Sequence, residues 1–68
     1  MELIINHKKK ILEEAPASLE TLMQWEAPGK SKGVAVALNN QVVPKTAWAS
    51  TPVKAHDVVL IITATQGG

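Results

Sequence analysis

Few side chains in the sequence could do chemistry. His7 and His56 lie in segments that we expect to form turns, and neither has a second ligand at the spacing of a metal site. Glu13 and Glu14 are adjacent, so on a strand they point to opposite faces and cannot act together as acid and base. No nucleophile stands beside a base. We therefore expect no catalytic residue and no bound metal.

The remaining reactive group is the α-carboxyl of the last residue. A β-branched apolar run from Val58 to Ile62 is followed by a small, polar stretch that finishes with Gly67 and Gly68. Glycines bury no side chain and lose much freedom when they are ordered. Two interpretations follow from the residues alone: a frayed terminus, or a carboxylate presented on a thin arm, ionised at neutral pH.

Length and composition limit the kind of protein. Sixty-eight residues allow one domain, and a chain of this size buries only about 60% of its extended surface. The absence of cysteine excludes disulfides and thiolate chemistry and is compatible with a reducing cytoplasm, where we expect the protein to act. A formal net charge of +1 is too small to indicate nucleic acid binding.

Two further features bear on partners. The basic run at residues 8–10 has no accompanying aromatic residue, so we interpret it as a solvated turn rather than a phosphate-binding patch. No apolar run approaches the roughly 20 residues that span a bilayer, and the first residues do not resemble a signal peptide. We expect neither a nucleic acid nor a membrane partner.

The first half of the chain predicts two strands and a helix. Alternation predicts a strand over residues 1–6, a turn at 7–9 and a short strand at 10–13, forming a hairpin. Ser18 is a good helix N-cap. Helical spacing then gives an apolar stripe of Leu19, Leu22, Met23 and Trp25, and residues 27–29, Ala-Pro-Gly, end the helix.

The second half predicts strands separated by short elements. Residues 34–39 alternate bulky and small side chains, and Asn39-Asn40 is a turn signal before an extended segment at 41–43. Pro44 suits the first position of a helical turn in which Trp48 would cover the core. Residues 49–55 are expected to be irregular, and His56-Asp57 forms a turn into a last strand at 58–63.

This order of elements predicts an α+β fold, with the helix on one face of a mixed sheet and strands 1–6 and 58–63 as central neighbours. If Val59 and Ile61 face the helix, the alternate residues point outward and form an apolar patch, which usually marks a partner site. The opposite register would place these residues in the core. The predicted outer patch contains Val58, Leu60, Ile62 and the flat pair Ala35 and Ala37, with Ile4 beside it.

Three features together carry a family resemblance. Residues 38–48 read Leu-Asn-Asn-Gln-Val-Val-Pro-Lys-Thr-Ala-Trp, Asp57 precedes an apolar strand, and Gly67-Gly68 finish the sequence. This pattern resembles the sulfur carriers of thiamine biosynthesis, the ThiS family of ubiquitin-like β-grasp proteins. The motif matches fall between residues 34 and 68, whereas the first half agrees in element order. His56 stands where the family usually has glycine, a departure that concerns a turn.

The resemblance implies a β-grasp domain at residues 1–63 and a flexible tail at 64–68. A partner adenylyltransferase, similar to ubiquitin-activating enzymes, would use ATP and Mg to adenylate the Gly68 carboxylate. A persulfide donor would then replace the adenylate and leave a thiocarboxylate, whose sulfur thiazole synthase would take. The chain would bind no cofactor itself and would be a carrier and co-substrate, not an enzyme. Thr65, Gln66 and Gly67 would enter a channel in the partner, and the outer patch would dock it.

Three alternatives stay open. The small subunit of molybdopterin synthase uses the same chemistry with another recipient but usually lacks the Asn-x-x-Val-Val-Pro-x-x-x-Trp pattern. A ubiquitin-like modifier would form conjugates through Gly68. A β-grasp module that binds RNA or a small ligand would make the glycines incidental and would bind less tightly as salt rises.

Overall fold

The structure, a computed structural model, describes residues 1–28 and 33–63. The predicted tail, residues 64–68, lies outside the described residues, as does most of the loop that follows the helix. The described elements form one mixed sheet with strand order β2-β1-β5-β3-β4. In chain order they are β1 (Glu2–Ile5), β2 (Lys8–Ile11), α1 (Leu19–Glu26), β3 (Val34–Leu38), β4 (Gln41–Val43), a 3₁₀ helix (Lys45–Ser50) and β5 (Val58–Thr63).

β5 is the central strand, as its apolar sequence predicts. It runs parallel to β1, with Ile5 opposite Val59, and antiparallel to β3, with Val36 opposite Ile61. β-branched side chains suit the pleated surface of a strand paired on both sides, which explains its run of such residues, although Val59 alone among them is fully buried. The predicted α+β fold and the pairing of the first and last strands are confirmed.

Both hairpins turn on pairs of residues with positive φ. Asn6 and His7 have φ of 51° and 69°, and Asn39 and Asn40 have φ of 50° and 70°. Two consecutive left-handed residues give the two-residue turn whose twist matches that of the flanking strands, and asparagine tolerates this conformation well. The turn predicted at 39–40 is therefore confirmed.

The predicted register of the first hairpin is wrong. The turn is formed by Asn6 and His7, so β2 begins at Lys8 instead of residue 10. The prediction left Lys8 and Lys9 in the turn and placed only Lys10 among the three lysines on the strand. They instead form an edge strand whose four residues are all exposed, which protects the sheet against pairing with another edge.

The helix begins and ends as its sequence predicts. The Ser18 hydroxyl accepts a hydrogen bond from the Thr21 N–H at 3.3 Å, and Ala27 closes the last turn by donating its N–H to the Met23 carbonyl. Leu19, Leu22 and Met23 are buried. These contacts join the helix to the inner face of the sheet.

Trp25 does not belong to the buried stripe, contrary to the prediction. Its side chain is 43% exposed. Successive residues of a helix are rotated by about 100°, so Trp25 lies roughly a quarter turn or more from the centre of the stripe. Glu26 lies closer to that centre and reaches the edge of the sheet, where its carboxylate binds the Lys10 ammonium at 2.6 Å.

Trp48 covers the core near β4, as predicted. It is 5% exposed, and its indole N–H donates to the Val43 carbonyl at 2.9 Å. Pro44 is the N-cap of the 3₁₀ helix rather than its first residue. The Thr51 carbonyl accepts the Leu19 N–H at 2.8 Å, which ties this segment to the start of α1.

Candidate outer-face docking site

The face of the sheet opposite α1, called the outer face here, is defined by the register of β5. Residues directly opposite each other in paired strands point to the same side. Val59 is buried with the core and Ile61 packs against it, so Val58, Leu60 and Ile62, which alternate with them, point to the other side. The register then places Leu60 opposite Ala37, and Ile62 opposite Ala35.

The predicted patch residues therefore lie on one surface. Val58 and Ile62 are exposed, Leu60 and Ala37 are half-buried, and Ala35 is exposed. Ile4 lies opposite Val58 and extends the surface across β1. The structure confirms that these residues share the outer face, while their role in binding a partner stays a prediction.

Two further residues, Ile11 and Val42, belong to this face and were not predicted. Ile11 pairs with Glu2, which alternates with the buried Leu3, and Val42 pairs with Ala37. Both are exposed. As a result, four of the five exposed large apolar side chains in the described part of the chain lie on this face: Ile11, Val42, Val58 and Ile62. The correct hairpin register would have revealed Ile11, because it pairs Ile11 with Glu2, which alternates with the buried Leu3.

The charged groups on the outer face lie at its β1–β2 side. Glu2 and Lys9 point to this side from β1 and β2, and their charged atoms are 4.0 Å apart. An exposed pair at this distance contributes little to stability. The centre of the face is thus apolar, with ionic groups only at the β1–β2 side among the described strands. This arrangement is typical of a protein–protein docking surface.

Two asparagines hold β5 between the hairpins. The Asn6 N–H donates to the Val59 carbonyl at 2.9 Å, and its side-chain Oδ1 accepts the Ile61 N–H at 2.7 Å. The Asn39 N–H donates to the Val58 carbonyl at 2.8 Å, and its Oδ1 accepts the Val58 N–H at 2.9 Å. Each hairpin turn therefore makes one backbone and one side-chain bond to β5.

Asp57 organises the turn that leads into β5. Its Oδ1 accepts from Asn39 Nδ2 at 3.1 Å, and its Oδ2 accepts the Lys54 N–H at 2.8 Å. His56 has φ of 72°, so it occupies a left-handed position that glycine would adopt without steric cost. The turn predicted at 56–57 is present, and His56 contributes the left-handed residue that the turn requires.

No metal or catalytic cluster emerges within residues 1–28 and 33–63. These residues contain no group of three histidine, cysteine, aspartate or glutamate side chains that could hold a metal ion. His7, Glu13 and Glu14 are exposed. No described helix is long and apolar enough to span a membrane. The residues predicted to be modified or to enter a partner, Gly68, Gly67, Gln66 and Thr65, lie outside the described residues.

A mixed five-stranded sheet that carries one main helix on one face, with β1 and β5 parallel at its centre, defines a ubiquitin-like β-grasp protein. The ThiS family model matches residues 2–68. The chain therefore belongs to the ThiS family.

A solved structure agrees with this assignment. The crystal structure of a thiamine biosynthesis protein, ThiS, from Geobacter metallireducens is similar with a TM-score of 0.84 and 28% sequence identity, covering 100% of both chains. No curated protein sequence matches the chain. The family and this likeness support a sulfur-carrier role in thiamine biosynthesis, for a small carrier that is not itself an enzyme.

Proposed function

We propose that the Gly68 carboxylate is the group that carries sulfur. A carboxylate is a poor electrophile, so a partner adenylyltransferase would first join it to the α-phosphorus of ATP, with Mg bound, and release pyrophosphate. The terminal sulfur of a persulfide would then attack the acyl-adenylate and displace AMP. Cleavage of the resulting S–S bond by a thiol would leave the thiocarboxylate, from which thiazole synthase takes sulfur.

The family match carries this proposal, because it extends through the two last glycines. Their lack of side chains would let the last residues enter a narrow channel in the partner. The chain has no cysteine, which suits a carrier that holds sulfur only on a carbonyl carbon. The reaction would take place in the reducing cytoplasm, where persulfide and thiol partners persist.

The outer face is the surface that we assign to both partners. β5 runs through this face, and its last residue, Thr63, lies two positions before Thr65, the first of the residues that would enter the partner. Docking through Val58, Leu60 and Ile62 would therefore align the partner with the direction in which the chain continues. Ala35 and Ala37 would let the partner approach the sheet closely, since their side chains are small.

Complementation tests this function and separates it from its rivals. The chain, expressed with the adenylyltransferase and thiazole synthase of its own source in a strain that lacks its carrier, should restore growth without thiamine. A variant lacking Gly68 serves as the control and should fail. Growth supported by that variant, or failure of the well-expressed full chain, would contradict the proposal.

The alternatives predict other outcomes. A molybdopterin synthase subunit would instead restore molybdopterin synthesis in a strain that lacks that subunit. A ubiquitin-like modifier would accumulate in lysine conjugates joined through the Gly68 carbonyl. An RNA-binding module would retain RNA after Gly68 is deleted and release it as salt rises.

A further inference from the structure

The pairing of β5 with β1 is shorter than its pairing with β3, which leaves the end of β5 without a backbone neighbour on the β1 side. The pairing of β1 with β5 ends at Ile5 opposite Val59, whereas β5 continues to Thr63. On the other side, β3 pairs with β5 as far as Val34 opposite Thr63. The last part of β5 is thus held by β3 on one side, and β1 has already turned away on the other.

The Asn6 side chain fills the position that β1 leaves. In a strand, the N–H groups of alternate residues point to opposite neighbours, and the Ile61 N–H points to the β1 side. There the Asn6 Oδ1 accepts it at 2.7 Å, across 55 positions of sequence. Beyond Asn6, an open groove of about 440 Å³ lies between the end of α1 and β5, lined in part by Pro28, Ile61 and Thr63.

This bond connects the hairpin turn with the outer face. Ile61 packs against the core, and its neighbour Ile62 points outward. Fixing the backbone at Ile61 therefore fixes the direction of Ile62. A bond at the same place also limits how far the end of β5 can separate from the sheet before the chain continues toward its last glycines.

We propose that Asn6 is a positioning residue for sulfur loading, which pre-organises the end of β5 for the adenylyltransferase. This inference rests on the proposed function. A partner that docks on a loosened strand must order it during binding, and that ordering weakens the complex. The effect should appear in the apparent KM for the carrier with kcat unchanged, because the interaction is the same in the ground and transition states.

Three variants separate the side-chain bond from the turn. Asn6→Gly keeps the left-handed turn and removes the acceptor, whereas Asn6→Asp retains an oxygen acceptor there by replacing the amide oxygen with a carboxylate oxygen. His7→Gly is the matched control, since it changes the other left-handed residue of the same turn. No described hydrogen bond joins the His7 side chain to β5.

The test combines steady-state adenylation, followed by pyrophosphate release, with amide hydrogen exchange. Asn6→Gly should raise KM about fivefold, the factor that one exposed hydrogen bond supplies. It should also speed exchange of the Ile61 amide by a similar factor while the Leu22 amide is unchanged. Asn6→Asp and His7→Gly should both behave as the wild type does.

Equal KM for Asn6→Gly and the wild type would overturn the inference, as would equal impairment of Asn6→Gly and His7→Gly, which would assign the effect to the turn. An equal rise in the exchange rates of the Ile61 and Leu22 amides would show a loss of global stability, and this result would also overturn the inference. If the wild type is not adenylated, the proposed function fails. The exchange measurement does not depend on adenylation, so an unchanged Ile61 exchange rate in Asn6→Gly would refute the role of Asn6 in either case.

Discussion

Replacing Ile62 by glutamate should separate docking from folding. Ile62 is 51% exposed on the outer face, so a carboxylate there remains in water in the free protein. Substitutions at such positions usually change the free energy of unfolding by less than about 1 kcal/mol. The variant should therefore fold, whereas a partner that covers this face must bury the new charge.

The size of the effect follows from the exposed half of the side chain. Complete burial of an isoleucine side chain contributes about 2 kcal/mol, so covering the exposed half contributes about 1 kcal/mol to docking. Ile62→Ala should thus weaken the complex about fivefold. Ile62→Glu also desolvates a carboxylate, which costs at least about 2 kcal/mol more. The total of about 3 kcal/mol corresponds to more than about a hundredfold.

Isothermal titration calorimetry with the matching adenylyltransferase measures both variants, and circular dichroism checks that they fold. Gln24→Glu is the matched control, because it adds the same charge at an exposed position of α1 on the other side of the sheet. It should bind as the wild type does. A folded Ile62→Glu variant with unchanged affinity would refute the assignment of the outer face to this partner.

Two further predictions concern the elements that support this face. Ser18→Ala should lower the free energy of unfolding by about 1 kcal/mol, since it removes the acceptor for the Thr21 N–H. Ser18→Asp should retain most of that stability in urea denaturation, and equal loss in both variants would contradict the capping role. Trp48→Phe keeps an aromatic ring but leaves the Val43 carbonyl without its indole donor, so we expect a loss of about 1–3 kcal/mol. Thermal denaturation followed by circular dichroism measures that loss, and an unchanged transition would show that the hydrogen bond contributes little.

The sequence predicts well which residues of the central strand share a face, because alternation allows only two registers and both group the same residues. Val59 and Ile61 alternate with Val58, Leu60 and Ile62, so burial of one set exposes the other. The Ser18 cap and the turn at 39–40 are equally local, since each depends on a few adjacent residues. These features could be read from residue order without knowledge of the tertiary contacts.

The errors arise where one local feature was given too much weight: the charge of the lysines, and the three-residue spacing between Leu22 and Trp25. The lysines at residues 8–10 suggested a turn, but the turn needs two residues that accept positive φ, and Asn6 with His7 meets that requirement. Trp25 was assigned to the stripe because it lies three residues after Leu22, but its angle around the helix, measured from the centre of the stripe, places it beside the stripe.

The asparagine contacts with β5 could not be predicted from the sequence. Asn6 and Ile61 are 55 positions apart, and no periodicity connects them. Their contact follows from the difference in length between β1 and β5, which only the folded sheet defines. Asn39 was assigned to a turn correctly, but its side-chain bond to the Val58 N–H depends on the same tertiary arrangement.

The intact mass of the chain tests the central claim most directly. After incubation with ATP, Mg, the matching adenylyltransferase and a persulfide donor, the mass should rise by the difference between one sulfur and one oxygen atom, and fragmentation should assign that rise to Gly68. Omission of ATP should abolish it. An unchanged mass with a competent partner, or sulfur located on any other residue, would contradict the account.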